Sequence, residues 1–279
     1  MRISEELDAS ESHSEIPRLS DRPSYLPECV PDGGIPVSLR KETAFWTTGQ
    51  GQILSEEATS ALMESEALLT GLAQSDALQS AGLDPNAPGQ QSIKGHCTRV
   101  TVLSLLINDG LRRHFSPATA DTRLLATAAL LHDIGKLNPE VNKVVMSNQR
   151  FSKNSAEWKT IIKHPEIGAE LVLAMPGLSC GVERMRVADT VYTHHERYDG
   201  SGYYKVPSSR IGHEAAIIGV ADTIDAMGEM RSYKGPIATK SVMDELERCR
   251  EQFDTDVLFI IRKMRRVSGV FVRHRSDRL

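Results

Sequence analysis

Five of the nine histidines fall where a helical pattern faces the core or ends: His96, His132, His164, His194 and His195. Asp133 adjoins His132, and Asp222 follows the apolar stretch Ile217-Ile218-Gly219-Val220-Ala221. Imidazole nitrogens and carboxylate oxygens are common ligands for catalytic divalent metals. Burying such groups together is costly unless a partner takes up the charge. Five imidazoles and two carboxylates exceed what one ion usually takes from a protein. The count suits two ions that share a bridging carboxylate. Each residue also has a plainer reading. His164 before Pro165 is an acceptable helix cap, His194 and His195 would serve as a surface pair, and Asp222 as a solvated helix carboxylate. His132 bonded to Asp133 is the plain structural alternative for that pair. The cysteines, at 29, 97, 180 and 249, show no CxxC spacing, which argues against a structural zinc site. Cys97 follows His96 but turns onto another face, so it reads as core packing.

These residues need elements to hold them. Leu124-Leu125-Ala126-Thr127-Ala128-Ala129-Leu130-Leu131 is apolar enough for a buried helix, expected to start with Ser116 as cap and Pro117 at its first position and to end at His132-Asp133. Neighbours on a helix point about 100° apart, so His132 and Asp133 reach one cluster from two directions. His194 and His195 do the same at the end of a helix expected over 182–195. Gly135 is expected to end its helix in a left-handed cap, which puts Lys136 just beyond, within reach of whatever the His and Asp hold. The plain reading of Lys136 is a helix-end cation. Ile93, His96, Val100, Leu103, Leu106 and Ile107 share one helix face. Further helices are expected over 155–162, from His164 to the break at Pro176-Gly177, and over 214–230, 239–250 and 254–266. Residues 196–211 read as a loop rich in Gly and Tyr.

The first 34 residues are polar, acidic and interrupted by prolines, and read as disordered. Residues 35–91 read as a small N-terminal module and linker. It holds a hairpin over 35–54, then a helix capped by Ser55 with Glu56 and Glu57 in its first turn. Residues 92–266 form an all-α domain, and 267–279 a basic tail. The expected fold is therefore mainly α, a helical bundle preceded by a small, partly disordered α/β module.

Net charge is −4, so no global basic field draws the chain to nucleic acid. The basic C-terminal end reads as a solvated helix face and tail. No apolar run reaches the roughly 20 residues that span a membrane, and the first 30 residues lack a signal-peptide core. With cysteines far apart, the thiols are expected to be reduced and the compartment cytoplasmic.

The motifs together carry a resemblance. His96-Cys97-Thr98-Arg99-Val100, His132-Asp133-Ile134-Gly135-Lys136 and His164-Pro165-Glu166-Ile167-Gly168 come first. They continue with His194-His195-Glu196 through Gly202-Tyr203, Val220-Ala221-Asp222 through Met227, Arg231-Ser232-Tyr233-Lys234 and Gln252-Phe253-Asp254. In this order over about 92–265 they resemble the HD-GYP domain, the metal-dependent branch of the HD superfamily. The resemblance implies an HD-type helical bundle that hydrolyses cyclic di-GMP, a bacterial second messenger, to linear pGpG, with the further cut to GMP left open, by a hydroxide bridging two divalent ions. Iron is the implied metal, with manganese as the alternative. It implies that Asp133 bridges the ions. His96, His132 and Asp222 then complete one shell, and His164, His194 and His195 the other. Lys136 is given the catalytic electrostatic role beside Asp133, Tyr203 the contact to substrate, and Arg231 and Lys234 the grip on its phosphates. Two surface cations are the plain reading of the last pair. Members with a third metal carry a Glu four residues before the first His, where this chain has Ser92. The family signature Gly-Tyr-Pro reads Gly202-Tyr203-Tyr204 here, which removes the proline that would stiffen the loop and bears on docking of diguanylate cyclases (GGDEF proteins) or adaptors through it. A non-catalytic cyclic di-GMP receptor or scaffold, or an enzyme for a mixed cyclic GMP-AMP dinucleotide, is the alternative function.

Overall fold

Why the chain buries what it does is clearest in one helix. In this computed structural model, Thr122–Leu131 (α3) buries every residue except Arg123. A helix apolar all round has no solvent face to offer and must be surrounded. It packs against four others: Glu56–Ala73 (α1), Gln90–His114 (α2), Gly181–Thr193 (α7) and His213–Gly228 (α8). The structure describes residues 54–73, 90–115, 120–147, 149–175, 178, 181–228 and 239–268. The described residues contain helices and no strand, so the mainly α expectation holds. None of their helices is long and apolar enough to cross a membrane. The hairpin expected over 35–54, the disorder of 1–34, the tail 267–279 and the break at Pro176-Gly177 concern segments largely or wholly outside the described residues.

The helix start differs from expectation. Asp121, not Ser116, caps α3, and its carboxylate accepts from the Arg123 and Leu124 amides at 3.1 Å each. An Asp adjacent to the apolar run satisfies the free N–H groups there, so the helix begins five residues beyond the Ser-Pro pair.

Gly135 also differs. It does not adopt a left-handed conformation. Asp133 ends the turn, and Ile134–Leu137 form one turn of 3₁₀ helix. Glycine is needed there for space instead. A Cβ on Gly135 would lie 2.0 Å from the His164 carbonyl oxygen and 2.8 Å from the Gly168 nitrogen. This contact is where His164–Ala174 (α6) meets the Asp133 turn.

Two short helices bridge this turn to α6: Pro139–Met146 (α4), with Asn138 as cap and Pro at its start, and Ala156–Ile161 (α5), capped by Ser155. Thr239–Arg248 (α9) and Thr255–Ser268 (α10) follow α8. Leu103, Leu105, Ile107, Leu125, Leu131, Ile217, Ile218, Leu246, Ile260 and Ile261 are among the fully buried side chains. Each is worth about 1.5–3 kcal/mol over exposure.

Helix α1, expected to belong to a separate module, packs its Ala58, Ala61 and Leu62 into the same core cluster as α2, α3 and α8. Ser55 caps it as expected, accepting from the Ala58 amide at 3.1 Å. The same Ser55 donates its amide and its hydroxyl to the two oxygens of Asp109, both at 2.9 Å. Ser65 and Thr127 share a buried hydroxyl contact at 3.2 Å, and Arg123 pairs with Glu64.

Candidate metal centre

Seven side chains converge at the end of α3. His132 closes that helix and Asp133 follows it. His96 comes from the second turn of α2, His164 from the first residue of α6, His194 and His195 from the turn after α7, and Asp222 from the middle of α8. His132 and His194 are wholly buried, and Asp133 and His164 are 1% exposed. Their ligand atoms fall into two close sets, His96–His132–Asp222 and Asp133–His164–His194–His195, with the atoms in each set within 4.8 Å of one another.

Asp133 stands between the sets. Its Oδ1 lies 3.2 Å from His164 Nε2 and 4.0 Å from His194 Nε2. Its Oδ2 lies 3.5 Å from both His96 Nε2 and His132 Nε2. His96 Nε2 is also 3.1 Å from Asp222 Oδ1, and His195 Nδ1 is 3.8 Å from Asp222 Oδ2. One carboxylate thus turns one oxygen to each set.

Whether a cation fits can be read from the ring nitrogens. His132, His164 and His194 each place Nδ1 against a main-chain carbonyl three residues earlier: Ala129 at 2.7 Å, Ile161 at 2.8 Å and Val191 at 2.6 Å. A carbonyl only accepts, so each Nδ1 carries a proton, and each ring, when neutral, presents its lone pair at Nε2. The Nε2 atoms of His164 and His194 then face each other at 3.5 Å as two acceptors. His132 Nε2 and Asp133 Oδ1 are buried without a hydrogen-bond partner. Buried acceptors turned on one another are costly. A divalent cation in each set would satisfy these acceptors, and the donor types suit such ions.

The charges agree. Burial would raise the Asp133 carboxyl, but Lys136, His132 and His164 hold it well below the usual carboxylate range. Asp222 is also held well below, by His96 and His195, against the same burial. Burial, the repulsion of neighbouring rings and, at His195, the nearby Arg197 push His194 and His195 well below the ordinary imidazole value, and burial lowers His164 too. These three are neutral and ready to ligate. His96 behaves oppositely: burial alone would lower it, but hydrogen bonds to Asp222 and Asp225 raise it to about 10. Asp133, Cys97 and Asp222 likewise outweigh burial at His132 and lift it to about 9, so His96 and His132 must each give up a proton in order to ligate.

Two residues given no role from the sequence orient His96. Asp225 Oδ2 lies 2.8 Å from His96 Nδ1, and Arg99 donates to both oxygens of Asp225 at 2.8 Å. Both were findable. Arg99 is three residues after His96, and Asp225 three after Asp222, so each shares a helix face with a ligand candidate. Cys97 packs with Ile93 and Leu130 as expected, and its sulfur also lies within ligand reach of His132 and Asp133.

Lys136 ion-pairs with Asp133 and lines the cleft in front of the cluster. Burial would lower its pKa, but Asp133 and Asp222 more than offset this and raise it, so the ammonium is fully charged. Tyr203 reaches the same cleft, its ring 4.5 Å from His195 and 6.2 Å from His164. Arg231 and Lys234 lie outside the described residues.

The loop that carries Tyr203 is held without a proline. Tyr204 donates its hydroxyl to the Ile162 carbonyl at 2.7 Å and stacks on Tyr192 at 4.6 Å, the rings 9° from parallel. Buried Glu196 accepts the Tyr204 and Val206 amides at 2.8 and 2.7 Å. A Cβ at Gly202 would lie 2.6 Å from Glu196 Cα, so the loop closes tightly over that carboxylate.

The chain is similar to known proteins. A model of the HD domain family matches residues 94–257, more than half of the 279-residue chain. The 3′3′-cGAMP-specific phosphodiesterase 2 of Vibrio cholerae is 32% identical over 136 residues, which are 46% of this chain and 24% of that protein. The cyclic di-GMP phosphodiesterase response regulator RpfG of Xanthomonas campestris is 34% identical over 118 residues, 41% of this chain and 29% of the relative. The cyclic di-GMP phosphodiesterase PA4108 of Pseudomonas aeruginosa is 29% identical over 64% of this chain and 42% of its own length. The matched regions thus cover less than half of each of these relatives. Among solved structures, the HDG"Y"P protein Bd1817 of Bdellovibrio bacteriovorus shares the fold. Its TM-score is 0.52, at 17% identity, covering 81% of this chain and 76% of that one.

Proposed function

The chain belongs to the HD domain family, and from that premise we propose that it is a metal-dependent phosphodiesterase that opens cyclic di-GMP to linear pGpG and can carry it on to GMP. The observation that carries this reading is Asp133, whose two oxygens face two separate sets of buried imidazole and carboxylate side chains. His96, His132 and Asp222 would hold one divalent ion, and His164, His194 and His195 the other, with Asp133 between them. Iron is the proposed metal and manganese the alternative, since the two sets are rich in imidazole and carboxylate. Bound there, such a pair supplies an activated water and neutralises phosphate charge.

The chain's own residues do the rest. The main-chain carbonyls of Ala129, Ile161 and Val191 keep three rings in the ligating tautomer. Asp225, held by Arg99, does the same for His96. The Lys136 ammonium faces the cleft and meets negative charge as it grows on the phosphoryl oxygens. Tyr203 packs against the dinucleotide, while Arg231 and Lys234 are assigned the phosphate grip on the family resemblance alone. No side-chain nucleophile is needed, so no covalent intermediate forms.

The test is direct. Anaerobically purified, metal-loaded protein is incubated with cyclic di-GMP and its products are separated by chromatography. Linear pGpG is the expected first product, and intact substrate overturns the reading. The relatives named for 3′3′-cGAMP favour a second reading, in which the mixed dinucleotide is cut. Running both substrates side by side decides between them, and binding without turnover would favour the receptor reading. Docking of a GGDEF cyclase or an adaptor is proposed on the resemblance alone. The cytoplasm is the proposed compartment, in keeping with the free thiols of Cys97 and Cys249.

A further inference from the structure

The cleft in front of the cluster has a volume of about 470 Å³ and two unlike walls. One wall is the proposed chemical centre, with Asp133, Lys136, His164, His195 and Asp222. The other comes from the end of α4, the segment after it and α5: Val144, Val145, Gln149, Arg150, Phe151 and Trp158. No ligand candidate and no role in the reaction falls on this second wall.

The walls are joined by rings. Tyr203 touches His195, and Trp158 meets Tyr203 edge-on at 5.8 Å and 80°. Phe151 and Trp158 are half-buried beside the cleft, while Gln149 and Arg150 are exposed. Aromatic side chains are platforms on which nucleobases stack. A dinucleotide with one phosphate at the cluster would lay its neighbouring base along such a run of rings.

Arg150 adds selectivity to a surface that is otherwise sequence-tolerant. Its guanidinium has only donors. Guanine presents two acceptors on one edge, N7 and O6, which an arginine fork meets together. Adenine presents N7 beside the N6 amino group, a donor that the fork cannot satisfy. The other residues of this wall are apolar or aromatic, save the neutral Gln149, and these surroundings suit the plane of a base.

Resting on the dinucleotide reading above, we infer that Phe151, Trp158 and Tyr203 form a base-stacking subsite in which Arg150 reads the N7–O6 edge of guanine, so that this subsite selects guanine over adenine. Binding of hydrolysis-resistant phosphorothioate analogues of cyclic di-GMP and cyclic di-AMP to the metal-loaded protein tests it. Wild type is expected to hold the guanine analogue about tenfold or more tighter, the scale of one bidentate arginine–guanine pair. Arg150→Ala should bring the two affinities together with metal content unchanged. Phe151→Ala should weaken both analogues by about tenfold and keep their ratio.

Several results would overturn the inference. If wild type binds both analogues equally, or Arg150→Ala keeps the ratio, Arg150 does not read the base. If Arg150→Ala weakens both alike, it is a phosphate contact. If Phe151→Ala changes neither affinity, the stacking subsite is lost. In each case the dinucleotide reading survives. If wild type binds neither analogue, that reading falls, and this inference with it.

Discussion

Lys136 separates a chemical account of the centre from a merely structural one. Its ammonium pairs with Asp133 and faces the cleft. If it serves only to balance a buried carboxylate, Lys136→Ala would lose metal and stability and affect turnover only through them. If it meets charge on the phosphoryl group, the fully loaded variant should turn over roughly 100-fold or more slowly, the scale of removing one oxyanion donor. Turnover per bound metal decides, and a loaded variant near the wild-type rate would sink the catalytic role. Asp225 makes a complementary case. It touches no cleft-facing ligand atom but holds His96 through Nδ1. Asp225→Asn keeps the shape and weakens the acceptor, so metal affinity should fall by about 10–100-fold. Metal titration of the apoprotein reads this, and an unchanged affinity would remove Asp225 from the positioning shell.

At the scale of elements, the contact between the Asp133 turn and α6 fixes His164 against Asp133. No side chain fits between them, because a Cβ on Gly135 would lie 2.0 Å from the His164 carbonyl. Gly135→Ala must therefore shift α6, at about 1–3 kcal/mol or more for such overpacking. We expect a lower melting temperature together with lost metal. Gly181→Ala is the control, since nothing lies within 4 Å of its Cβ position, and it should melt near wild type. Normal metal content in Gly135→Ala would show that the turn can give way. This is also where reading the sequence had its limits. The buried α3, the Ser55 cap and the gathering of seven candidate side chains in one place were legible, because apolar runs, cap residues and residue types are local signals. The start of α3 at Asp121 was not, because the Ser116-Pro117 pair carries a strong start signal of its own and put the expected start five residues too early. The use of Gly135 was misread for a related reason: a glycine demanded by a distant carbonyl looks the same in sequence as one demanded by its own backbone. Tyr204 in place of proline suggested a looser loop, yet its hydroxyl bond to Ile162 and its stack on Tyr192 are long-range contacts that hold the loop. The cleft wall of Gln149, Arg150 and Phe151 carried no motif at all.

At the scale of the whole molecule, a centre assembled from five segments links metal loading to stability. An ion that binds only the folded chain stabilises it by about 2.7 kcal/mol at a hundredfold excess over its Kd. For a chain of this size, removing metal with a chelator should lower the melting temperature by roughly 5–10 °C. Calorimetry with and without chelator measures this, and coincident transitions would mean that the folded apoprotein needs no ion. The two ligand sets are also unequal in their order along the chain. Asp133, His164, His194 and His195 have all been synthesised once residue 195 is made, whereas His96 and His132 wait for Asp222. Because domains are made from the N-terminus onward, the nascent chain owns one complete set of ligands before the other exists. On the two-ion reading proposed above, the order of translation would favour an order of filling: the His164 side of Asp133 has its candidate ligands first, and α8 would complete the second place by bringing Asp222.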